Sequence, residues 1–289
     1  MNTMPCGISA FIICKDEVTI LGPCLESLSS CSEIIIVDSG STDGTLDLIE
    51  SYRAAGYPIR LFQRDWPGYA LQKQFALEQC TGQWCLSIDA DERLDEALQD
   101  ELSNLVAAPD TVAAWRLDFR LSLYGYGYVP ESVRFGAAIR LTRNGRAHFG
   151  TDALVHESMH VDGEIRTATR GKILHARSLP IDEQIMKERA YSSLKAQQLF
   201  NKGKRPRLFR LVFNPFVYFA KTYFAKRFIL CSWAGFIHSV TAAIYSFMTE
   251  AKLWQLHAQA EGRGTLTPAS PPSPPAASAP DRSRVSPPE

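Results

Sequence analysis

The 289-residue chain has no CxxC pair and no Cys/His spacing of a structural zinc site, although it contains seven cysteines. These are Cys6, Cys14, Cys24, Cys31, Cys80, Cys85 and Cys231, an odd number, and several fall inside apolar strand or helix patterns. They read as reduced core residues of a cytoplasmic protein and not as a disulfide framework. The opening stretch MNTMPCGISAFIICKDE has no basic flank and only a short apolar run, so a secretory signal peptide is not expected. No internal repeat is evident. Residues 201–227 contain no acid and residues 228–248 no formal charge. No recognised nucleic-acid motif accompanies the basic run, so a nucleic-acid partner is not expected.

The net charge is zero, but it is unevenly spread. Residues 1–110 carry a balance of −12, residues 111–200 of +4 and residues 201–289 of +8. An acidic front and a basic rear point to a cation in front and an anionic surface behind. From Ile8, strand-like and helix-like stretches alternate. ISAFIIC (8–14), EIIIVD (33–38), PIRLF (58–62) and GQWCLSID (82–89) read as buried strands. The stretches 18–30, 41–56 and 68–80 have helical spacing, and a further helix is expected over 94–106. Such alternation predicts a parallel sheet with helices on both faces. After about residue 110, longer alternating strands are expected at 111–125 and 133–145, the second turning at Asn144-Gly145, followed by a helix over 181–200.

Ligands of open α/β sheets bind at the carboxyl ends of the strands. Asp38 stands at one such end. Asp89, Asp91 and Glu92 stand at another, in CLSIDADERLDEAL. Two carboxylates one residue apart can turn toward one point and hold Mg²⁺ or Mn²⁺, hard cations that complete their shell with phosphate oxygens. The plainer alternative is a helix N-terminus capped by Asp91, with Glu92 favouring its dipole. VDSGSTDGT (37–45) is open to a similar pair of readings. It is an ordinary strand-turn-helix joint, or a turn that offers Asp38 to a base or ribose.

ISAFIICKDE, EIIIVDSGSTDGT, GYALQKQFAL and GQWCLSIDADE occur in the order and at roughly the spacing of family 2 glycosyltransferases. Over residues 7–260 the chain resembles their subgroup of lipopolysaccharide core β-1,4-glucosyltransferases. The resemblance implies a GT-A fold, an α/β nucleotide-diphospho-sugar-binding domain that uses a divalent metal, Mg²⁺ or Mn²⁺. Carried over residue by residue, it places Asp38 on the uracil or ribose, Asp91 on the metal that bridges the diphosphate, and Asp89 on metal or ribose. Cys14, Lys15 and Glu17 would line the nucleotide pocket, and Lys73 would approach the donor phosphates. Arg140 would reach the diphosphate or a phosphorylated acceptor. In DALVHESMH (152–160), Glu157 would be the general base and Asp152 the alternative base. His156 would be a further metal ligand or a phosphate-orienting group, and His175 would close the metal or diphosphate site. The bland alternatives place Glu157 in a surface turn and make His156 a hydrogen-bonded structural residue. Tyr124, Tyr126 and Tyr128, set between glycines, could stack on sugar faces or belong to a solvated hairpin.

Eight bases in 201–227 are interleaved with Phe209, Phe213, Phe216, Tyr218, Phe219, Tyr223 and Phe224. Cations meet anionic headgroups while rings sit at the boundary, which fits a surface helix on a membrane. The uncharged stretch 228–248 is long enough to span a bilayer, but its Ser, Thr and His content also fits an interfacial helix or an ordinary core or oligomer helix. The expected organisation is a GT-A domain over 1–200, a basic and aromatic helical membrane-associating extension over 201–260, and a proline-rich disordered tail over 261–289. The expected activity is inverting transfer of a hexose, as glucose from UDP-glucose, to a lipopolysaccharide inner-core sugar. The partners would be a nucleotide-sugar donor, a lipid-linked saccharide acceptor and the anionic inner face of the inner membrane. The alternatives are another envelope glycan or lipid acceptor, or a non-catalytic membrane-bound nucleotide-sugar sensor.

Overall fold

The computed structural model describes residues 7–150 and 159–263. The first half alternates as read. Strand β1 (Ile8–Cys14) leads to α1 (Leu21–Ser27), β2 (Glu33–Asp38) to α2 (Thr45–Ala54), and β3 (Ile59–Gln63) to α3 (Tyr69–Glu78). Strand β4 (Trp84–Ser87) is followed by the short β5 (Glu92–Leu94) and α4 (Glu96–Val106). Strands β3, β2, β1 and β4 lie side by side and parallel. Their apolar runs are continuous because both faces are covered. Ile8, Ala10 and Ile12 of β1, with Ile34 and Ile36 of β2, face Leu21, Leu25, Ile49, Leu98 and Leu102. The alternate residues Phe11, Ile35 and Val37 face Ala76 and Leu77 of α3 on the other side. This is the two-residue period of a strand seen from both sides.

Beyond β4, where the strand-helix alternation stops, the sheet is mixed. The added strands are β6 (Val112–Leu123), β7 (Gly127–Tyr128) and β8 (Ala137–Arg143), then β9 (Ala147–Phe149), β10 (Met159–Val161) and β11 (Glu164–His175). Strand β8 runs antiparallel to both β4 and β6. Strand β11 is parallel to β6, and β5 closes the edge antiparallel to β11. β7 pairs with β6, and β9 and β10 form a separate two-stranded ribbon. The turn at Asn144-Gly145 is present, with Gly145 at φ +77°. The six described cysteines are buried, and none is in a disulfide.

Three long helices follow, α5 (Ile181–Asn201), α6 (Leu208–Ala220) and α7 (Ser232–Ala260), with α5 and α6 both packed on α7. Between α6 and α7 the chain makes a wide turn of π-helix at Lys221–Ala225 and a tight turn at Phe228–Cys231. Phe228 and Cys231 are buried against Leu121, Leu123, Val129 and Val133, which seats the helices on the α/β part. Among the described residues, one helical stretch, Phe228–Ala260, is long and apolar enough to cross a membrane.

Candidate active site

The acids of the sequence motifs gather at the carboxyl ends of β1, β2 and β4, and a strand that sequence reasoning missed brings a histidine and an arginine to them. β5 pairs with the end of β11, placing His175 opposite Glu92, and the Ala176 N–H donates to the Asp91 carbonyl at 2.8 Å. His175 Nε2 then lies 3.6 Å from Asp91 Oδ2, and Arg177 Nε lies 3.1 Å from the same oxygen. Arg177 also donates through Nη2 to Glu17, at the end of β1. Asp91 borders a cleft that Ile20, Pro23, Cys24 and Ala176 also line.

Asp89 turns instead to a pair of cations of its own. Lys73 Nζ of α3 is 2.9 Å from Oδ1, and Arg140 Nη2 of β8 is 3.1 Å from Oδ2. Arg140 Nη2 also donates to Glu92 Oε1 at 2.6 Å, and its guanidinium lies over the Phe119 ring, 5.2 Å from the centroid. Glu92 Oε2 in turn accepts from the Asp89 N–H at 2.9 Å. Burial favours the neutral form of Asp89, but Lys73 and Arg140 outweigh it and hold the carboxyl well below the usual range. Glu92 is pushed up to about 7, by burial first and then by Asp89 and Asp91, against the pull of Arg140. Burial also raises Glu17, although Arg177 opposes it. Four carboxylates thus meet Lys73, Arg140, Arg177 and His175. The acidic cluster is held together by Lys73, Arg140 and Arg177 and not by solvation.

Asp38 is buried, and both its oxygens have partners. Oδ2 accepts from the Gly40 N–H at 2.8 Å and the Ser41 N–H at 3.0 Å, and Oδ1 accepts from the Ser41 hydroxyl. The Cys14 thiol donates to the same Oδ1 at 3.7 Å, and burial together with Asp38 pushes that thiol up. Asp38 therefore shapes the turn after β2, and Asp16 clasps the turn by accepting from the Thr42 N–H at 2.7 Å. Lys15 is exposed beside it. Asp91 does not cap α4. That work falls to Asp95, whose Oδ1 accepts from the Leu98 N–H at 2.8 Å, and Glu92 belongs to β5 and not to the helix. Of the three tyrosines, Tyr124 is exposed, Tyr126 donates its hydroxyl to the Leu230 carbonyl, and Tyr128 lies under Arg93 and Arg120. Asp152, His156 and Glu157 lie outside the described residues.

Sequence reasoning passed over Arg177 and gave Glu92 a different role. Arg177 stands two residues beyond His175, the same-side spacing of an extended chain, and that was the available signal. Among the described residues, no group of three His, Cys, Asp or Glu side chains could hold a metal ion. Asp89 is committed to two cations. A divalent ion at this mouth would therefore take Asp91 and His175 from the protein. That donor set fits an ion that completes its shell with diphosphate oxygens and water.

Residues 9–161 match the family described as Glycosyl transferase family 2. The chain is 51% identical over 251 residues to the lipopolysaccharide core biosynthesis glycosyltransferase LpsC of Rhizobium meliloti (strain 1021), covering 87% of this chain and 93% of that one. It is 31% identical to an uncharacterized glycosyltransferase of Rickettsia felis, covering 85% and 89%. Among solved structures, it aligns with the Pyrobaculum calidifontis mannosyltransferase PcManGT in complex with GDP-Man and Mn²⁺ at a TM-score of 0.49 and 17% identity, covering 92% of this chain and 79% of that one. S. aureus TarS in complex with UDP-GlcNAc aligns at 0.47 and 14%, covering 88% and 92%. The mixed sheet, with acids at its carboxyl edge, is the GT-A-like fold of a glycosyltransferase. The chain belongs to glycosyltransferase family 2.

Proposed function

We infer that the chain transfers a hexose, as glucose from UDP-glucose, to a sugar of the lipopolysaccharide inner core, with inversion, at the cytoplasmic face of the inner membrane. The observation that carries the reading is the meeting of Glu17, Asp91, His175 and Arg177 beside the Lys73, Asp89 and Arg140 triad, at the strand ends where a family 2 enzyme takes its donor. The role of the 51% identical relative supports a core sugar as acceptor. Lys73 and Arg140 exchange part of their pairing with Asp89 for oxygens of the donor diphosphate, a charge-assisted contact. Asp89 accepts from the ribose, and Asp38 keeps the nucleoside turn in shape. Asp91 and His175 would hold a divalent ion, Mg²⁺ or Mn²⁺, which when bound would supply positive charge to the departing diphosphate. Glu157 takes the proton of the attacking acceptor hydroxyl as the new glycosidic bond forms on the face opposite the breaking one, which inverts the anomeric carbon. His156 orients the phosphates, and Asp152 is the alternative base.

Helix α6 supports the membrane setting. It buries no residue, and Leu208, Phe209 and Phe216 are about 70% exposed. Helix α7 turns Ser239, Ser246, Thr249 and Glu250 inward within the helical unit, which supports a helix lying on the bilayer and not across it. The test offers purified protein a panel of UDP-sugars with Mn²⁺ and truncated lipopolysaccharide, and reads the mass gain of the acceptor. Asp91→Ala should abolish transfer and weaken UDP binding in Mn²⁺. Glu157→Gln should abolish transfer and leave UDP binding nearly intact. Binding of UDP-glucose without transfer to any acceptor would favour the sensor reading.

A further inference from the structure

Between residues 189 and 260 the chain has one acid, Glu250. It is buried, and it lines a cavity of about 170 Å³ between α5, α6 and α7. The cavity is also lined by Lys195 of α5, Arg210, Asn214 and Tyr218 of α6, and Tyr245 of α7. Arg210, Asn214 and Tyr218 are four residues apart and share one face of α6. The adjoining face carries Phe209, Phe213 and Phe216, all exposed. The cavity therefore sits at the border between the polar inside of the helical unit and its bare apolar face. That border is the level at which headgroups lie on a surface helix.

Two cations and one carboxylate, flanked by phenol rings, suit a zwitterion. A bare phosphate would meet the Glu250 carboxylate at close range and be repelled. A phosphodiester joined to a primary ammonium satisfies all three groups, with the phosphate on Lys195 and Arg210 and the ammonium on Glu250 between Tyr218 and Tyr245. Glu250 Oε1 accepts from the Arg207 N–H at 2.7 Å. A carboxylate has capacity for a further donor at its second oxygen. We propose that this cavity binds the headgroup of phosphatidylethanolamine, the acyl chains lying along the exposed phenylalanines of α6. The proposal rests on the membrane-docking reading above, and it is independent of sugar transfer.

The experiment measures binding of the full chain to vesicles of roughly 70:30 phosphatidylethanolamine to phosphatidylglycerol, against the same ratio with phosphatidylcholine. Choline has the same charge but no N–H to donate. Wild type is expected to bind the first set about tenfold more tightly, the scale of one charge-assisted hydrogen bond. Glu250→Gln keeps an acceptor for the Arg207 N–H and is expected to bind both sets alike, at the weaker affinity. Soluble glycerophosphoethanolamine should compete with the first set for wild type, and glycerophosphocholine should not, which tests the site with no variant to fold. Equal wild-type binding to both sets, or a preference that survives in Glu250→Gln, overturns the headgroup site and leaves docking standing. Binding to neither set, nor to pure phosphatidylglycerol, overturns docking itself.

Discussion

Asp89 and Asp91 stand two residues apart and face different cations, and Arg140 is the residue that keeps them so. Its Nη2 reaches both Asp89 and Glu92, while its planar face lies on Phe119. A lysine has the charge but neither the fork nor the flat face. Arg140→Lys therefore leaves Glu92, a buried acid, without its main counter-charge and lets Asp89 swing toward Lys73 alone. The expected outcome is a loss of about tenfold or more in kcat/KM for the donor, equivalent to one charged hydrogen bond. The melting temperature should fall as well, because Glu92 is buried and loses its main counter-charge. Steady-state kinetics with UDP-glucose and thermal unfolding together check this. At this scale the sequence placed the acids at strand ends but did not pair them with cations. The family resemblance named Lys73 and Arg140 as phosphate contacts and not as partners of Asp89. Arg177 was not legible, because nothing in KILHARS says that β5 will bring its strand end to Asp91.

Helix and strand positions were easiest to read where both faces of an element are buried. EIIIVD and ISAFIIC allow one interpretation, and β1 and β2 have those bounds. β11 is different. Its sequence EIRTATRGKILH alternates poorly because its middle is irregular, with a register shift between Thr167 and Lys172 opposite β6. Glu101 of α4 fills that irregularity, accepting N–H bonds from Thr169, Arg170 and Gly171. The strand is specified by a carboxylate about 70 residues earlier in the chain, which no local pattern reveals. Gly171 is the close contact, since a Cβ there would stand 2.1 Å from the Leu98 backbone. Gly171→Ala should cost about 3 kcal/mol or more, by forcing α4 off β11, with chemical denaturation as the measurement.

Glu33 makes the matching point for the opposite end of the sheet. Burial raises its pKa, but hydrogen bonds from Ser9, Thr81 and Arg60 outweigh burial and bring it from 4.5 to about 2. A carboxylate depressed in the folded state contributes stability that is present above its unfolded value and lost as pH falls through its folded value. Between pH 4.5 and about 2 the wild type should therefore lose stability more steeply than Glu33→Gln. The difference between the two should be greatest near neutral pH. Unfolding curves across that window read it directly.

The whole molecule joins two parts of opposite character, an acidic α/β body that holds the site and a basic helical unit with an uncovered apolar face. Residues 1–110 carry −12, residues 111–200 +4 and residues 201–289 +8. The joint is local. Phe228 is fully buried among Leu121, Leu123, Val129 and Val133, and it stacks on His238 at 4.5 Å. Gly235 permits this, since a Cβ there would lie 1.9 Å from the Phe228 carbonyl oxygen. Removing the ring by Phe228→Ala is expected to cost about 3–5 kcal/mol. The loss should appear first as proteolysis at the 226–232 turn, before the α/β body unfolds. The apolar face makes a separate prediction. Phe209 and Phe216 contribute nothing to the fold that burial can detect, yet each would remove a large side chain from water on docking, for about 1.5–3 kcal/mol apiece at most. Replacing both with serine should therefore weaken sedimentation with phosphatidylglycerol vesicles by about a hundredfold or more. Turnover on a water-soluble acceptor fragment should stay unchanged. High salt should weaken wild-type binding as well, because the eight bases of residues 201–227 act through screened charge. The serine variant should keep that salt dependence while losing the affinity, which separates the two contributions. Vesicle sedimentation indifferent both to the serine pair and to salt would mean that this face meets something other than a bilayer.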